Sequence, residues 1–97
     1  MKTIPADEAA RSLSGWMATP GRQAIAKIYR FKDFNAAFGF MTRAALKAET
    51  LDHHPEWTNV YNQVEVVLST HNVEGVTELD LMLARFMDQA AEATPPA

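Results

Sequence analysis

Residues 48–71 read AETLDHHPEWTNVYNQVEVVLSTH, and this stretch carries the strongest fold signals and all three histidines of the chain. Pro55 stops a preceding helix, and it favours an extended conformation at the residue before it, His54. Further on, residues 64–70 alternate between two faces, with mainly apolar side chains on one of them, which is typical of a half-buried strand. The stretch therefore predicts a helix end, a corner and a sheet strand in close succession.

A reversal of the chain is needed if the three histidines are to share a site. One straight strand over residues 57–70 would separate its ends by about 40 Å, at roughly 3.3 Å per residue. Asn59 and Asn62 offer a turn, because asparagine tolerates turn conformations by bonding its own backbone. We therefore predict a hairpin that reverses near Tyr61 and brings His71 towards the other two histidines. Its two strands are residues 57–60 and 64–70.

The rest of the chain predicts helices and short strands within one compact domain of 97 residues. The predicted elements before the quoted stretch are a helix over residues 5–13, a short strand over 16–18, a turn over 19–22, a strand over 24–31 and a helix over 34–50. Asp33 is the N-cap of the helix over 34–50. After the quoted stretch, a last helix opens on a capping box of Thr77 and Asp80 and runs to about Ala91. We expect residues 1–4 and 93–97 to be flexible ends.

The predicted helix over residues 34–50 is apolar on more than one stripe. One set of apolar side chains is Phe34, Phe38, Met41, Ala45 and Leu46, and a second set beside it is Ala37, Phe40 and Ala44. Two interpretations stand: a deeply buried core helix, or a helix that also packs against another subunit. The second is favoured, because so small a domain has little room to bury a whole helix.

Composition and charge exclude several classes of function. The net charge is −3 with no basic run, which argues against direct binding of nucleic acid through its phosphates. The chain has no cysteine, so disulfides, thiolate metal sites and cysteine nucleophiles are excluded. We find no segment typical of a signal peptide or a membrane span, and we expect a cytoplasmic protein without a membrane partner.

Metal binding and nucleophilic catalysis are both disfavoured by the spacing of the candidate residues. Adjacent side chains on an extended stretch point to opposite sides, so His53 and His54 are poorly placed to share one ion. The chain also lacks the HExxH and His-x-His spacings of metal sites. Ser69 lies near His71, but no nucleophile elbow or glycine-rich turn surrounds it.

General acid–base catalysis suits the histidines better, because histidine is the side chain whose unperturbed charge change falls between about pH 5 and 8. Elimination of water needs one group to protonate the departing hydroxyl and another to accept a proton. Glu49 and Asp52 lie beside the paired histidines and could orient or polarise them. Asp80 suits a helix cap and also a position facing the site. Trp57 and Tyr61 suit packing, or the wall of a flat ligand pocket.

The stretch at residues 48–71, with GVTELD downstream and IYRFKDFNAAFGFMTRAALKAE upstream, resembles pterin-4a-carbinolamine dehydratase, also known as the dimerisation cofactor of a homeodomain transcription factor. The resemblance covers roughly residues 16–86. It implies a two-layer α+β fold, with an antiparallel four-stranded sheet and helices packed on one face. It also implies dehydration of 4a-hydroxytetrahydrobiopterin to the quinonoid dihydropterin, which recycles the cofactor of aromatic amino acid hydroxylases, with no metal and no separate cofactor.

The same resemblance implies the site residues and partners. His53 and His71 correspond to the acid–base pair at the 4a-hydroxyl, and His54 to the residue that holds the pterin. The residues expected to bind the substrate or shape its pocket are Glu49, Asp52, Pro55, Trp57, Thr70 and Asp80. A homodimer or homotetramer is implied as well, and the helix over residues 34–50 is a possible contact for a protein partner.

Two alternatives to catalysis stand beside this interpretation. The chain could be a non-catalytic module that dimerises or stabilises another protein, or it could bind a pterin without turnover. A non-catalytic module has no need to keep three histidines and Glu49 together, which favours the dehydratase.

Overall fold

Four antiparallel strands form one sheet in the order β1-β2-β4-β3, in a computed structural model that describes all 97 residues. The strands are β1 (Met17–Ala18), β2 (Ile25–Arg30), β3 (Glu56–Val60) and β4 (Gln63–Leu68). The helices are α1 (Ala6–Arg11), α2 (Phe34–Leu51) and α3 (Glu78–Glu92), and a single 3-10 turn spans His71–Val73. The predicted α+β class is confirmed.

The helices cover one face of the sheet. Along the central strand β4, Val64, Val66 and Leu68 are fully buried, whereas Glu65 between them is exposed. From α2, the ring of Phe40 lies 4.7 Å from that of Tyr29 and 4.9 Å from that of Phe31, measured between centroids. This aromatic contact packs α2 against the end of β2 in the middle of the core.

The predicted hairpin is confirmed. β3 and β4 pair in antiparallel register, from Glu56 opposite Val67 to Val60 opposite Gln63. Tyr61 adopts a left-handed backbone conformation at the turn, with φ of 49°. The side-chain amide of Asn59 donates to the carbonyl oxygens of Tyr61 and Gln63, at 3.1 and 2.9 Å, as an asparagine at a turn is expected to do.

Strand β4 ends two residues earlier than the sequence predicts, at Leu68 rather than Thr70. The chain there leaves the sheet for a tight loop, which the backbone of Thr70 closes by bonding Gly75 in both directions, at 2.7 and 3.3 Å. His71 consequently starts the 3-10 turn and projects from the end of the hairpin. The loop thus decides where the third histidine lies.

Helix α2 buries one side only, and that side is the narrower of the two expected stripes. The buried residues are Ala37, Phe40, Ala44 and Ala48, so alanines let the helix sit close to the sheet. Phe38 and Leu46 keep 57% and 66% of their surface exposed, and Phe34 is exposed as well. The single chain therefore leaves an apolar stripe uncovered on the outer side of α2.

The capping box at the start of α3 is confirmed. The hydroxyl of Thr77 accepts from the amide of Leu79 at 3.3 Å, and the carboxylate of Asp80 accepts from the amide of Thr77 at 2.8 Å. Along α3, Leu83 and Met87 are buried, whereas Met82 is exposed. Leu81 takes the buried place beside Leu83 instead.

Both ends of the chain, for which the sequence predicts flexibility, contact the domain. The amide of Ile4 donates to the carbonyl of Val76 at 2.8 Å. At the other end, the amide of Lys32 donates to the carbonyl of Pro95 at 3.0 Å, and Thr94 is buried. The expectation of frayed ends rested on composition alone, which does not reveal these backbone pairings.

Candidate functional site

A cavity of about 420 Å³ lies where the end of α2, the end of the hairpin and the start of α3 meet. All three histidines line it. The other lining residues are Met1, Asp52, Ser69, Thr70, Asn72, Val73 and Leu79. Seven of its ten lining residues have polar side chains, which suits a polar ligand better than a hydrocarbon.

The end of α2 directs the first histidine inward. Asp52 takes the left-handed conformation that often ends a helix, with φ of 49° and ψ of 44°. The amide of His53 then bonds back to the carbonyl of Ala48 at 3.0 Å. Pro55 prevents the helix from resuming, so His53 and His54 form a fixed corner between α2 and β3.

His53 is buried against a carboxylate that has no contact with solvent. Its Nε2 atom lies 2.5 Å from Oδ1 of Asp80, and the two residues are 7% and 0% exposed. The other carboxylate oxygen, Oδ2, accepts from the hydroxyl of Thr70 and from the amide of Thr77, both at 2.8 Å. Asp80 thus caps α3 and bonds His53 with the same carboxylate.

His54 points away from this network, as expected for adjacent residues at an extended corner. Its Nε2 atom lies 2.6 Å from Oε1 of Glu49, one turn back on α2. Both side chains are mostly exposed, with Glu49 at 77%. The paired histidines therefore occupy different environments, one inside the protein and the other at its surface.

His71 forms a third imidazole–carboxylate pair, with Glu56. Its Nε2 atom lies 2.9 Å from Oε2 of Glu56. Arg22 donates from Nη1 and Nη2 to the two oxygens of the same carboxylate, each at 2.9 Å. The Arg22 guanidinium, and secondarily the bond with His71, lower the pKa of Glu56 to about 2. Glu56 therefore keeps its negative charge at any pH near neutrality.

The structure divides the predicted site residues between two depressions. His53, His54, His71, Asp52 and Thr70 line the main cavity, and Asp80 lies behind His53. A second depression of about 370 Å³ shares only His54 with that cavity. It is lined by Glu49, Pro55, Trp57, Ala45, Leu46 and Ala48. Tyr61, at the exposed hairpin turn, lines neither of them.

Two residues that contact the site were missed by reasoning from the sequence. Glu56 stands in the quoted stretch between Pro55 and Trp57, and Arg22 belongs to the predicted turn between the first two strands. The hairpin itself contained a signal for Glu56, because its register places the start of one strand beside the end of the other. Nothing in the local sequence around Arg22 indicated its contact with Glu56.

The arrangement suits proton transfer to and from a small polar molecule. Each imidazole has its own carboxylate partner, and all three histidines line one cavity. No group of three or more His, Asp or Glu side chains has the geometry to hold a metal ion. None of the helices combines the length and hydropathy that a membrane-spanning helix needs.

Comparison with known proteins shows close relatives of this chain. Residues 2–90 match the family model described as pterin 4 alpha carbinolamine dehydratase. A protein of Bordetella avium, provisionally named pterin-4-alpha-carbinolamine dehydratase, is 64% identical over 80 residues, which cover 82% of this chain and 74% of that protein. A protein of Burkholderia cenocepacia with the same provisional name is 60% identical over 84 residues, or 87% of this chain and 82% of its own.

A solved structure is similar too. The crystal structure of a transcriptional coactivator/pterin dehydratase from Brucella melitensis superposes with a TM-score of 0.84 at 58% identity. The similarity covers 87% of this chain and 89% of that one.

Proposed function

Because the chain belongs to the pterin-4a-carbinolamine dehydratase family, we propose that it dehydrates 4a-hydroxytetrahydrobiopterin to the quinonoid dihydropterin. The product is the form from which the tetrahydropterin cofactor of aromatic amino acid hydroxylases is regenerated. The observation that carries the proposal is the convergence of three carboxylate-paired imidazoles on one cavity.

The proposed reaction is an elimination that needs two proton transfers and no change of oxidation state by an external reagent. The bond between C4a and the hydroxyl oxygen breaks, and the oxygen leaves as water with a proton from one imidazolium. The ring nitrogen next to C4a forms a double bond to C4a and gives its proton to a neutral imidazole. Positioned acid–base groups of this kind typically contribute 10²–10⁴-fold to a rate.

We assign the two proton transfers to His53 and His71. The bond to Asp80 holds His53 by Nε2, which leaves Nδ1 for another partner. The bond to Glu56 does the same for His71 from another side of the cavity. We assign His54, whose partner Glu49 is exposed, to holding the pterin ring. Asp52 and Thr70, which line the cavity, are assigned to shaping it, and Glu49, Pro55 and Trp57, which line the adjoining depression with His54, are assigned to the edge of the bound molecule.

The test is the decay of 4a-hydroxytetrahydrobiopterin, generated by a hydroxylase and followed by its ultraviolet absorbance. Wild-type protein is expected to accelerate the decay. His53→Ala and His71→Ala are expected to lower kcat by about 10²-fold or more, whereas His54→Ala chiefly raises KM. Wild-type protein that leaves the decay unchanged but binds the pterin tightly would reduce the function to pterin binding.

A second candidate function rests on the outer stripe of α2, formed by Phe34, Phe38 and Leu46. Exposed apolar groups in a row on one helix are typical of an interaction surface. We propose that a second copy of the chain covers this stripe, giving a homodimer or homotetramer, and that a partner protein is the alternative occupant. The Brucella melitensis protein is named a coactivator as well as a dehydratase.

Light scattering after size exclusion, on wild-type protein and on Phe38→Glu, tests self-association. The variant is expected to have a lower mass than wild type, a monomer in place of a dimer or a dimer in place of a tetramer, while Glu65→Gln on the other face of the sheet keeps the wild-type mass. A wild-type monomer would leave the stripe to a partner. A partner that still binds, and still functions, after replacement of the histidines would favour the non-catalytic module.

A further inference from the structure

Arg22, Glu56 and His71 are brought together from three separate segments. Arg22 belongs to the loop between β1 and β2, Glu56 is the first residue of β3, and His71 is the first residue of the 3-10 turn. Nη2 of Arg22 and Nε2 of His71 both lie 2.9 Å from the same atom, Oε2 of Glu56. A contact that joins three distant segments depends on the fold and is not a property of one local stretch.

The contact supplies what packing does not supply at His71. The side chain of His71 is 67% exposed, and exposed side chains change rotamer on the picosecond to nanosecond timescale. Its one side-chain hydrogen bond is the bond with Glu56. A ring that must transfer a proton at a defined atom needs such an anchor, since small misplacements of a catalytic group cost much of the rate.

Glu56 is a firm anchor because Arg22 holds both of its oxygens. A guanidinium that bonds a carboxylate with two parallel N–H groups fixes the plane of that carboxylate. The pair of His54 and Glu49 lacks this support: Glu49 is 77% exposed and has no arginine partner. The structure thus builds one of its two exposed imidazole–carboxylate pairs more rigidly than the other.

We propose that Arg22 and Glu56 are positioning residues for His71 in the dehydration. They hold the imidazole by Nε2, leave Nδ1 to the cavity, and place one negative and one positive charge behind the ring. This inference rests on the proposed function and deepens it. Neither residue lines the main cavity, so they act through His71 and not on the substrate.

The charges around His71 predict opposite effects for the two residues. Glu56 favours the charged imidazolium and Arg22 disfavours it. The other titratable groups that face the ring are Glu74, which lines a groove with His71 and Arg22, and Asp52, His53 and His54 across the cavity. None of these groups bonds the ring of His71. Glu56 bonds it directly, and Arg22 lies next to it through its bonds to the same carboxylate.

The experiment compares Glu56→Gln, Arg22→Gln and Arg22→Lys with wild type by kcat, KM and the pH profile of kcat. Both glutamine variants are expected to lower kcat by about tenfold with little change in KM, since the ring loses its anchor. The pH profile of kcat is expected to move towards acid for Glu56→Gln, which removes a negative charge beside the ring, and towards alkali for Arg22→Gln, which removes a positive one. Arg22→Lys keeps the positive charge but cannot donate two parallel hydrogen bonds to Glu56. It is therefore expected to lower kcat and to leave the pH profile in place.

Asp7→Asn is the matched control, because Asp7 also pairs with an arginine, Arg11 at 3.2 Å, away from the cavity. It is expected to leave kcat and the pH profile unchanged. Shifts in the same direction for both glutamine variants, or losses of kcat without any shift, would show a merely structural role and overturn the proposal. NMR titration of the His71 ring in the same variants reports the same opposite shifts without turnover. It therefore judges the positioning role even if the wild-type protein fails as a dehydratase.

Discussion

Replacing Asp80 by asparagine is the sharpest test of how the site works. Asp80 is fully buried and bonds three groups: Nε2 of His53, the hydroxyl of Thr70 and the amide of Thr77. An asparagine of the same shape can keep its carbonyl oxygen towards Thr70 and Thr77. Its NH₂ group then faces His53. Two donors meet there, because the Nε2–H of His53 donated its hydrogen bond to the carboxylate.

The magnitude follows from this single mismatch. A hydrogen bond to a charged group contributes about 1.5–3 kcal/mol, and a neutral imidazole recovers part of it by moving its proton from Nε2 to Nδ1. We therefore expect Asp80→Asn to lower the free energy of unfolding by about 2 kcal/mol, or roughly 10 °C in Tm. Asp80→Ala removes all three bonds and is expected to cost about 3–5 kcal/mol.

Activity is expected to fall further than stability. With its proton on Nδ1, His53 presents an N–H donor to the cavity where the wild-type ring presents an acceptor, and we expect kcat to fall by at least about a hundredfold. The measurements are urea denaturation, the decay of the 4a-hydroxypterin, and ¹⁵N shifts that locate the proton on the His53 ring. Asp33→Asn is the control, because Asp33 caps α2 through one bond to Ala36 and asparagine caps equally well. If Asp80→Asn retains kcat within a few-fold and the ring proton stays on Nε2, the reasoning is refuted.

Three further predictions concern stability. Because Arg22 and His71 depress the pKa of Glu56 from 4.5 to about 2, its contribution is complete above about pH 4.5 and is lost as the pH falls towards 2. The contribution is below about 1 kcal/mol, since the pair is exposed. In urea denaturation between pH 2 and 6, the free energy of unfolding of Glu56→Gln should fall less towards acid pH than that of wild type. Phe40→Ala, which empties the centre of the core, should cost about 3–5 kcal/mol in the same assay at pH 7. Tyr61→Asn should raise Tm by several degrees, because asparagine tolerates the left-handed conformation of this exposed turn residue better than tyrosine does; an unchanged or lower Tm would contradict that interpretation.

The elements that the sequence predicted well are those decided by local chemistry. The hairpin turn follows from the side chain of Asn59, which bonds two nearby carbonyl groups. The start of α3 follows from Thr77 and Asp80, whose reciprocal bonds lie within four residues. In both cases the partners are close in sequence, so the residue types and their spacing contain the information.

The inward face of α2 was harder to predict, because both stripes are apolar. Phenylalanine and leucine suggest a core, yet the structure turns the alanines inward and leaves Phe38 and Leu46 outside. The choice depends on how closely the helix approaches the sheet, which is a property of the assembled layers. The same limit applies to Arg22, since its contact with Glu56 spans 34 positions of the chain.

The three imidazole–carboxylate pairs differ in burial, and this difference supports the division of labour that we propose. A buried pair is screened little by water or salt, so His53 and Asp80 hold one geometry and suit a proton transfer at a fixed atom. An exposed pair is screened and mobile, so His54 and Glu49 can adjust to a ligand that enters beside them. His71 is exposed as well, but two hydrogen bonds from Arg22 hold the carboxylate of Glu56, and that carboxylate bonds the ring of His71. His53 and His54 are adjacent in sequence but occupy different environments, because the corner at Pro55 sends one ring inward and the other to the surface.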